Sequence, residues 1–374
     1  MSKKIKYISF YNQLDSKINR VSALSAINKI NYVLKALNEI NYTVNVISPS
    51  WLTRENSSFI VFQKKSNQGK NKFIYTPSIL PYNKLFNYLS IIFSWTWLLF
   101  YLIKNCKRNE KVVIYHSVWL IIPVMIAQKL LNLKIILEIE EIYSDVWREN
   151  KFYKILKPLE YKFISQCSSY ILVSEMLRKK LNINTNYITL LGAYDIKENI
   201  SNYSKEGVIE VVYAGGIEKT RMGAFNAVKL IKYLPKNFRL NILGYGSEKD
   251  IKELLELINL ENQHLTNKII FHGKKTGKDF DQIMKKFHVG LNPQNIGDYM
   301  DSAFPSKILM YLSYNLNIIS SNVNSIKQSD IASEVFFYDD FNDVKDFNYE
   351  LKKNLIIKDL HKKFLTKLNS ILND

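Results

Sequence analysis

Short apolar segments typical of β-strands alternate along the whole chain with longer segments of helical period. The first are a strand pattern at 5–10 and a helical pattern at 26–40, where apolar residues share one face. The same alternation predicts strands at 43–48, 112–115, 133–139, 169–173, 210–213, 239–243, 268–271, 288–292, 317–320 and 335–338. Helices are predicted at 120–131, 154–166, 250–258, 280–286 and 344–372. Strands that alternate with helices predict an α/β protein with parallel, doubly wound sheets.

The chain has 374 residues, more than one ordinary hydrophobic core accommodates. The polar, aperiodic stretch 192–207 is the best candidate for a linker. We therefore predict two Rossmann-like domains, 1–195 and 196–345, and a C-terminal helix in 346–374 that could cross back to the first domain. Ligands of open parallel sheets bind beyond the carboxyl ends of the strands, so we expect the site in a central cleft where the two domains face each other.

The net charge of +18 is concentrated in the first half of the chain. Residues 1–200 contain 28 Lys or Arg and 13 Asp or Glu, whereas residues 201–374 contain 24 and 21. Such an excess attracts anionic lipid, a phosphorylated acceptor or nucleic acid, although general solubility is an alternative reason for it. Because the sequence contains no short nucleic-acid recognition module, we expect no nucleic-acid partner.

The two cysteines, Cys106 and Cys167, have no neighbouring Cys or His at metal-ligand spacing. We therefore expect no metal site and no disulfide framework. We also expect no cofactor. The N-terminus is basic but is not followed by the apolar core of a signal peptide. These features favour a reducing, cytoplasmic location.

Residues 85–103 form a run of 19 residues without a charge, followed by three basic residues within 104–108. This length and these flanks fit a transmembrane helix, but the run lies between elements of one predicted sheet. A buried core helix and a helix lying in the membrane interface are the alternatives. Trp95 and Trp97 suit the depth of the interface, so we expect a peripheral contact with the inner face of an anionic membrane.

A glycine turn in the second half has the features of an anion site. The predicted strand ends at Gly215 and Gly216, and Arg221 precedes the next helix. Glycine allows the backbone to approach a ligand closely, and a helix N-terminus offers free N–H groups to an anion. The alternative is a tight turn with a solvated arginine.

A second anion-binding pattern lies at 304–307, where Phe304, Pro305, Ser306 and Lys307 lead into a helix. Proline suits the first helical turn, and Lys307 would stand beside the free N–H groups. A surface lysine is the alternative. Two such patterns in one Rossmann-like domain suggest a bound diphosphate.

These segments resemble the donor domain of GT-B glycosyltransferases, most closely glycosyltransferase family 4. The similar segments are 213–221, 240–246, 270–273 and 304–313, and they are clearest within 208–322. The resemblance implies a GT-B fold and transfer of a sugar from a nucleoside-diphosphate sugar to a glycan or lipid-linked glycan in surface polysaccharide biosynthesis (capsule or lipopolysaccharide). It also implies retention of anomeric configuration without a metal. The implied donor-binding residues are Gly215, Gly216, Arg221, Gly244, Gly273, Phe304, Pro305, Ser306 and Lys307.

The chain departs from the family pattern at several positions, and two of them concern acidic residues of the donor motif. Met310 stands where the family has a Glu that holds the donor ribose, and Ser302 stands where a second Glu is usual, next to Asp301. Ribose recognition is therefore expected to differ, which leaves the nucleotide open. A degenerate, non-catalytic partner of another transferase is the alternative function.

The first half supplies the predicted acceptor side. His116 follows the strand 112–115, and the resemblance implies that a His at this place lies near the transferred sugar. A buried histidine bonded to the backbone is the alternative.

Four acids cluster at the carboxyl end of the strand 133–139, and either Glu140 or Glu141 is the candidate to orient an acceptor hydroxyl or accept its proton. A solvated loop is the alternative for Glu138 and its neighbours. Asp145 and Arg20 are predicted to contact the acceptor, Arg20 through a phosphate.

Overall fold

The computed structural model describes residues 3–13, 16–56, 60–62, 64–147, 149–195, 197, 207–264, 269–295, 303–350 and 355–373. The chain forms two compact units. The first contains Met1–Val173, Leu177–Ala193 and Lys362–Asp374, and the second contains Ser174–Met176 and Tyr194–His361. Most of the predicted linker lies outside the described residues, as do Asp301 and Ser302.

The first unit is built on an eight-stranded sheet with the order β10-β9-β8-β7-β1-β2-β5-β4. Every neighbouring pair is parallel except β4 and β5, which form an antiparallel hairpin at one edge. Its strands are β1 (Lys3–Ile8), β2 (Tyr42–Ser48), β4 (Lys64–Gln68), β5 (Asn71–Tyr75), β7 (Lys111–Tyr115), β8 (Lys134–Ile139), β9 (Ser169–Leu172) and β10 (Tyr187–Thr189). Two short strands, β3 (Ile60–Val61) and β6 (Ser78–Ile79), pair separately.

Helices connect these parallel strands. They are α1 (Leu24–Glu39), α2 (Lys84–Asn105), α3 (Ile121–Leu131), α4 (Tyr143–Val146), α5 (Lys151–Ser165) and α6 (Glu175–Lys180). Continuous apolar runs such as 135–137 are buried in the sheet, as is typical of parallel strands covered on both faces.

The second unit contains a six-stranded, wholly parallel sheet with the order β13-β12-β11-β14-β15-β16. Its strands are β11 (Ile209–Ile217), β12 (Phe238–Gly246), β13 (Ile269–Gly273), β14 (Val289–Asn292), β15 (Asn317–Ser321) and β16 (Val335–Tyr338). Its helices are α7 (Gly223–Leu230), α8 (Glu248–His264), α9 (Gly277–Met284), α10 (Lys307–Ser313) and α11 (Asn324–Lys327). The predicted parallel α/β architecture is thereby confirmed.

The helical pattern predicted over 344–372 is wrong in its first part. A 3-10 turn at Phe341–Asp346 is followed by non-helical chain, and the final helix, α12, is Ile356–Asn373. Phe347 instead packs edge-on against Phe238 and Phe336 of the second unit's core. Val344 and Phe347 gave the sequence its apolar pattern here because they pack in the core of the second unit, and not because they belong to the final helix. The end of α12 belongs to the first unit, where Lys111 donates to the carbonyls of Ile371 and Leu372.

Candidate functional site

The carboxyl end of β11 in the second unit brings a glycine and a lysine together. A side-chain carbon on Gly215 would lie 3.2 Å from Nζ of Lys307, so the glycine leaves room for the ammonium group. Nζ of Lys307 also lies 4.2 Å from the ring centre of Tyr213, within cation–π distance. The structure thus places two of the predicted donor residues against each other.

The surroundings of Lys307 disfavour the charged form of its side chain. Burial, together with the nearby positive charge of Arg221, lowers its pKa to about 7, although Glu218 partly opposes this shift. Among the described residues, no carboxylate lies within salt-bridge distance of Nζ. A desolvated cation next to a second cation favours binding of an anion, because an anion would stabilise both.

Arg221 is the second cation near Lys307, and it forms an ion pair with Glu218. Its Nε atom lies 3.0 Å from Oε2 of Glu218, and both side chains are exposed. The other oxygen of Glu218 would lie 3.2 Å from a side-chain carbon on Gly216. The two cations and one carboxylate leave a net positive charge beside the glycine turn.

Tyr311 is the residue that fixes Lys307 against the strand, and the sequence analysis did not single it out. Its hydroxyl accepts a hydrogen bond from the backbone N–H of Ala214 at 2.9 Å and donates to the carbonyl of Leu291 at 3.2 Å. A side-chain carbon on Gly290 would come within 2.3 Å of the Tyr311 ring. The tyrosine therefore ties α10 to both β11 and β14, one helical turn after Lys307.

The remaining predicted donor residues occupy neighbouring strand ends and the start of α10. Gly244 pairs in register with Gly215, and a side-chain carbon there would lie 2.3 Å from the Gly215 carbonyl oxygen. Gly273 ends β13 with a φ of +67°, a backbone conformation that favours glycine. The start of α10 has Phe304 and Pro305 buried and Ser306 exposed, with Met310 half-buried on the helix.

His116 in the first unit is 2 % exposed and is held by a buried carboxylate. Its Nε2 atom lies 2.7 Å from Oε1 of Glu160 on α5. Burial opposes ionisation of Glu160, but hydrogen bonds from His116 and from the backbone of Ser144 outweigh it and lower its pKa. The backbone N–H of Tyr143 also donates to Glu160, at 2.8 Å. Nδ1 of His116 is buried and has no hydrogen-bond partner among the described residues.

Glu160 was missed by the sequence analysis, although a signal was available. It precedes the buried Phe163 and Ile164 by three and four residues, so it lies on the apolar stripe of α5. A charged residue on such a stripe is rare unless it is paired.

The acids at the end of β8 do not all lie in a solvated loop, because Glu138 is part of the strand itself. The solvated-loop alternative is therefore wrong for Glu138. Its side chain is fully buried, accepts a hydrogen bond from the hydroxyl of Tyr7 at 2.5 Å, and has a pKa raised by burial. Glu140 forms an ion pair with Lys29 of α1, and Lys29 also donates to the Leu190 carbonyl at 3.0 Å. Glu141 is half-buried in the same loop.

Asp145 and Arg20 are engaged within the first unit. Asp145 pairs with Lys157 at 2.8 Å and Lys180 at 2.7 Å. Arg20 is buried; it donates to the Ser50 carbonyl and lies over the Tyr75 ring. Their contacts with an acceptor stay predictions. Within the ranges that the structure describes, no group of three or more His, Cys, Asp or Glu residues could hold a metal ion.

Comparison with known proteins gives matches only among solved structures. No family model and no curated protein matches the sequence. The structure of trehalose-6-phosphate from E. coli bound with UDP-2-fluoro glucose is 11% identical over 99% of this chain and 97% of that chain, with a TM-score of 0.61. Sucrose-phosphate synthase from Thermosynechococcus elongatus is 12% identical over 99% and 96%, with a TM-score of 0.62. Anabaena Alr3699/HepE in complex with UDP and glucose is 10% identical over 99% and 97%, with a TM-score of 0.56.

These similarities extend over both units and over nearly the whole of each compared chain. At such low identity, these similarities show the fold only. The finer resemblance to family 4 stays a prediction. The chain has the GT-B fold, with two Rossmann-like domains.

Proposed function

We propose that this protein is a glycosyltransferase that moves a sugar from a nucleoside-diphosphate sugar to a glycan or lipid-linked glycan acceptor. The observation that carries the proposal is the placement of the Lys307 ammonium group against Gly215, with the charge of Arg221 beside it. Two cations at a strand end kept open by glycine suit the diphosphate of such a donor. The compared structures with UDP-2-fluoro glucose and with UDP and glucose are consistent with this donor class.

The chemistry follows from where charge develops during transfer. The bond between the anomeric carbon and the diphosphate oxygen breaks, and that oxygen gains negative charge as the nucleoside diphosphate leaves. Lys307 and Arg221 would stabilise this charge, and the largely buried position of Lys307 strengthens its contribution. The family 4 resemblance further suggests that the acceptor hydroxyl attacks from the same face, with retention and without a metal.

His116, Glu140 and Glu141 are the proposed catalytic residues of the acceptor half. With Nε2 bonded to Glu160, Nδ1 of His116 has no partner among the described residues and is available for a hydrogen bond with a sugar hydroxyl. Glu140 or Glu141 would receive or orient the acceptor proton. Arg20 and Asp145 remain the proposed acceptor contacts.

The proposed setting is surface polysaccharide synthesis, at the cytoplasmic side of the inner membrane. The basic excess of residues 1–200 supports an anionic or phosphorylated acceptor and a peripheral membrane contact.

One observation favours a second function. Met310 lies on α10, three residues after Lys307, where the resembling family has the Glu that holds the donor ribose. A methionine cannot accept hydrogen bonds from ribose hydroxyls as a carboxylate does. The alternative is a non-catalytic partner of another transferase.

The deciding experiment is thermal unfolding of the purified protein with UDP, GDP, ADP, CMP and dTDP. At about 100 times the dissociation constant, binding to the folded state alone adds about 2.7 kcal/mol to the free energy of unfolding. We expect one nucleoside diphosphate to raise the melting temperature, and we expect Lys307→Met and Arg221→Gln to abolish the rise. Lys232→Met, at an exposed lysine of the same unit, is the matched control and should keep it.

Turnover then separates the two functions. Release of the nucleoside diphosphate from the matching sugar nucleotide, lost in Lys307→Met, would support the transferase. Binding without turnover in the presence of membrane-derived acceptors would favour the partner function. If no nucleotide stabilises the protein, the proposed donor site is wrong.

A further inference from the structure

The helix α2 turns its more apolar side away from the protein. Its exposed side chains recur every three or four residues and include Leu85, Tyr88, Leu89, Ile92, Phe93 and Phe100, the last 65 % exposed. They therefore form one continuous apolar stripe along the helix.

The opposite, buried side of α2 packs Ile91, Leu98 and Leu102 into the first unit together with two serines. Ser90 donates to the Ile79 carbonyl at 2.8 Å, and Ser94 donates to the Pro49 carbonyl. This buried side already gives the helix its apolar contact with the core. The large apolar side chains of the exposed stripe are therefore additional to what the core needs.

The exposed stripe continues onto the neighbouring helix. The helices α2 and α3 pack against each other, and α3 exposes Ile122, Ile126 and Leu130 at intervals of four residues. On α5, Ile155 is 79 % exposed. Contiguous exposed apolar surface of this kind marks an interaction site.

An aromatic series connects these helices. The ring of Trp119 lies 6.4 Å from that of Trp95 on α2 and 5.2 Å from that of Phe152 on α5, where the rings stack. Phe152 is itself exposed. Bulky aromatic rings beside an apolar surface are typical of protein regions at the boundary of a bilayer.

The charges around this surface have one sign. Between residues 84 and 131 the chain contains six Lys or Arg and one Glu. Lys104 follows Phe100 by one helical turn, Lys129 adjoins Leu130, and Lys154 adjoins Ile155; all three lysines are exposed. The hydroxyl of Thr96, which lies between Ile92 and Phe100 on the exposed side, donates to the Ile92 carbonyl at 2.7 Å and so needs no water. An apolar stripe bordered by cations complements an anionic lipid surface.

We propose that the exposed faces of α2, α3 and α5 dock on an anionic lipid bilayer, with α2 lying in the plane of the interface. A second copy of the chain fits less well, because face-to-face association would bring the bordering lysines together. Insertion across the bilayer also fits less well, because α2 is long and apolar enough to span but has its serine side packed inside the first unit. This inference concerns where the protein binds and does not depend on sugar transfer.

The test is flotation of the full chain with vesicles of phosphatidylcholine containing 30% phosphatidylglycerol, compared with phosphatidylcholine alone. The test variant is Ile92→Gln/Phe93→Gln/Phe100→Gln, which changes only exposed side chains. The matched control is Leu255→Gln/Leu260→Gln, at exposed leucines of α8 in the second unit. We expect the wild type and the control to float with anionic vesicles and the test variant to bind at least about tenfold more weakly. Lys104→Gln/Lys107→Gln/Arg108→Gln should weaken binding and reduce its dependence on salt.

Two outcomes would overturn the proposal. One is a wild type that stays in solution, and the other is a folded test variant that floats as well as the wild type. If light scattering instead shows a wild-type dimer that the test variant loses, with no vesicle binding, the surface is a contact between copies. Circular dichroism and melting of each variant show that it is folded. The flotation assay contains no nucleotide or acceptor. A negative flotation result would therefore not contradict the proposed donor site, and a negative nucleotide-binding result would not contradict membrane docking.

Discussion

The ammonium nitrogen of Lys307 lies 4.2 Å from the ring centre of Tyr213, on the side of β11 where Gly215 has no side chain. The lysine is therefore desolvated, and its pKa falls to about 7 because of burial and then of Arg221. A bound diphosphate reverses this effect, because an adjacent anion favours the charged form of lysine.

The first prediction is that nucleoside-diphosphate binding takes up a proton. At pH 8 the free lysine is mostly neutral and the nucleotide is fully ionised, so binding should draw up to about one proton from the buffer. Isothermal titration calorimetry in buffers of different ionisation enthalpy measures this uptake. The affinity should also fall as the pH rises above 7.

Lys307→Met should remove the proton uptake, whereas Lys232→Met should keep it. If the observed enthalpy is the same in every buffer, Lys307 is not the group that charges on binding.

The second prediction concerns stability without ligand. Because the folded-state pKa of Lys307 lies below its usual value of 10.5, the unfolded chain binds more protons between pH 7 and 10.5. This group therefore makes stability rise with pH across that window and destabilises the free protein at neutral pH. Lys307→Met should melt at a higher temperature than the wild type at pH 7, with a smaller difference near pH 10.5. A lower melting temperature at pH 7 would contradict the assigned cause of the pKa shift.

The third prediction is that Glu218→Gln binds the nucleoside diphosphate more tightly. Glu218 pairs with Arg221 and places a negative charge where the proposed donor site would hold a phosphate. Its neutralisation should strengthen binding about threefold at low salt and less at high salt, as expected for exposed charges. Glu253→Gln, which changes the partner of Lys219, is the control and should leave the affinity unchanged. Weaker binding by Glu218→Gln would show that the carboxylate holds Arg221 in a productive position.

Periodicity predicted the parallel α/β architecture because buried parallel strands leave continuous apolar runs. The hairpin of β4 and β5 was not predicted, since Lys64–Gln68 is a polar edge strand with no apolar run. Glycines and cations marked the candidate donor residues by type, but the hydrogen bonds of Tyr311 depend on which backbone groups its hydroxyl reaches. Glu138 and Glu140 differ in burial because Tyr7 and Lys29 approach them from distant parts of the chain. Such long-range pairings leave no signal in the local sequence.

The fourth prediction is that Tyr311→Phe weakens both stability and nucleotide binding. The change leaves the N–H of Ala214 and the carbonyl of Leu291 without their partner, which costs about 1–3 kcal/mol for buried polar groups. It also loosens the helix that presents Lys307. The control is Tyr314→Phe, at the residue that follows this helix, whose hydroxyl donates to the partly exposed Asp281. Equal losses in both variants would argue against a specific role of Tyr311.

The fifth prediction separates acceptor chemistry from donor binding through Glu160. This carboxylate accepts hydrogen bonds from His116 and from the backbone N–H groups of Tyr143 and Ser144. Glu160→Ala leaves all three buried donors unpaired and should destabilise the protein by about 3 kcal/mol or more. Glu160→Gln keeps an acceptor oxygen and should cost less, but its neutral amide no longer favours the Nε2–H tautomer of His116.

In Glu160→Gln we therefore expect nucleotide binding in the second unit to stay at the wild-type level while sugar transfer falls. The measurements are thermal stabilisation by the nucleoside diphosphate and the rate of transfer at saturating donor. His116→Ala should show the same separation, and the double variant should lose no more activity than the more damaging single variant, because the two residues act as one unit. Additive losses would mean that Glu160 and His116 act independently, and transfer at the wild-type rate in both single variants would remove His116 from the catalytic residues.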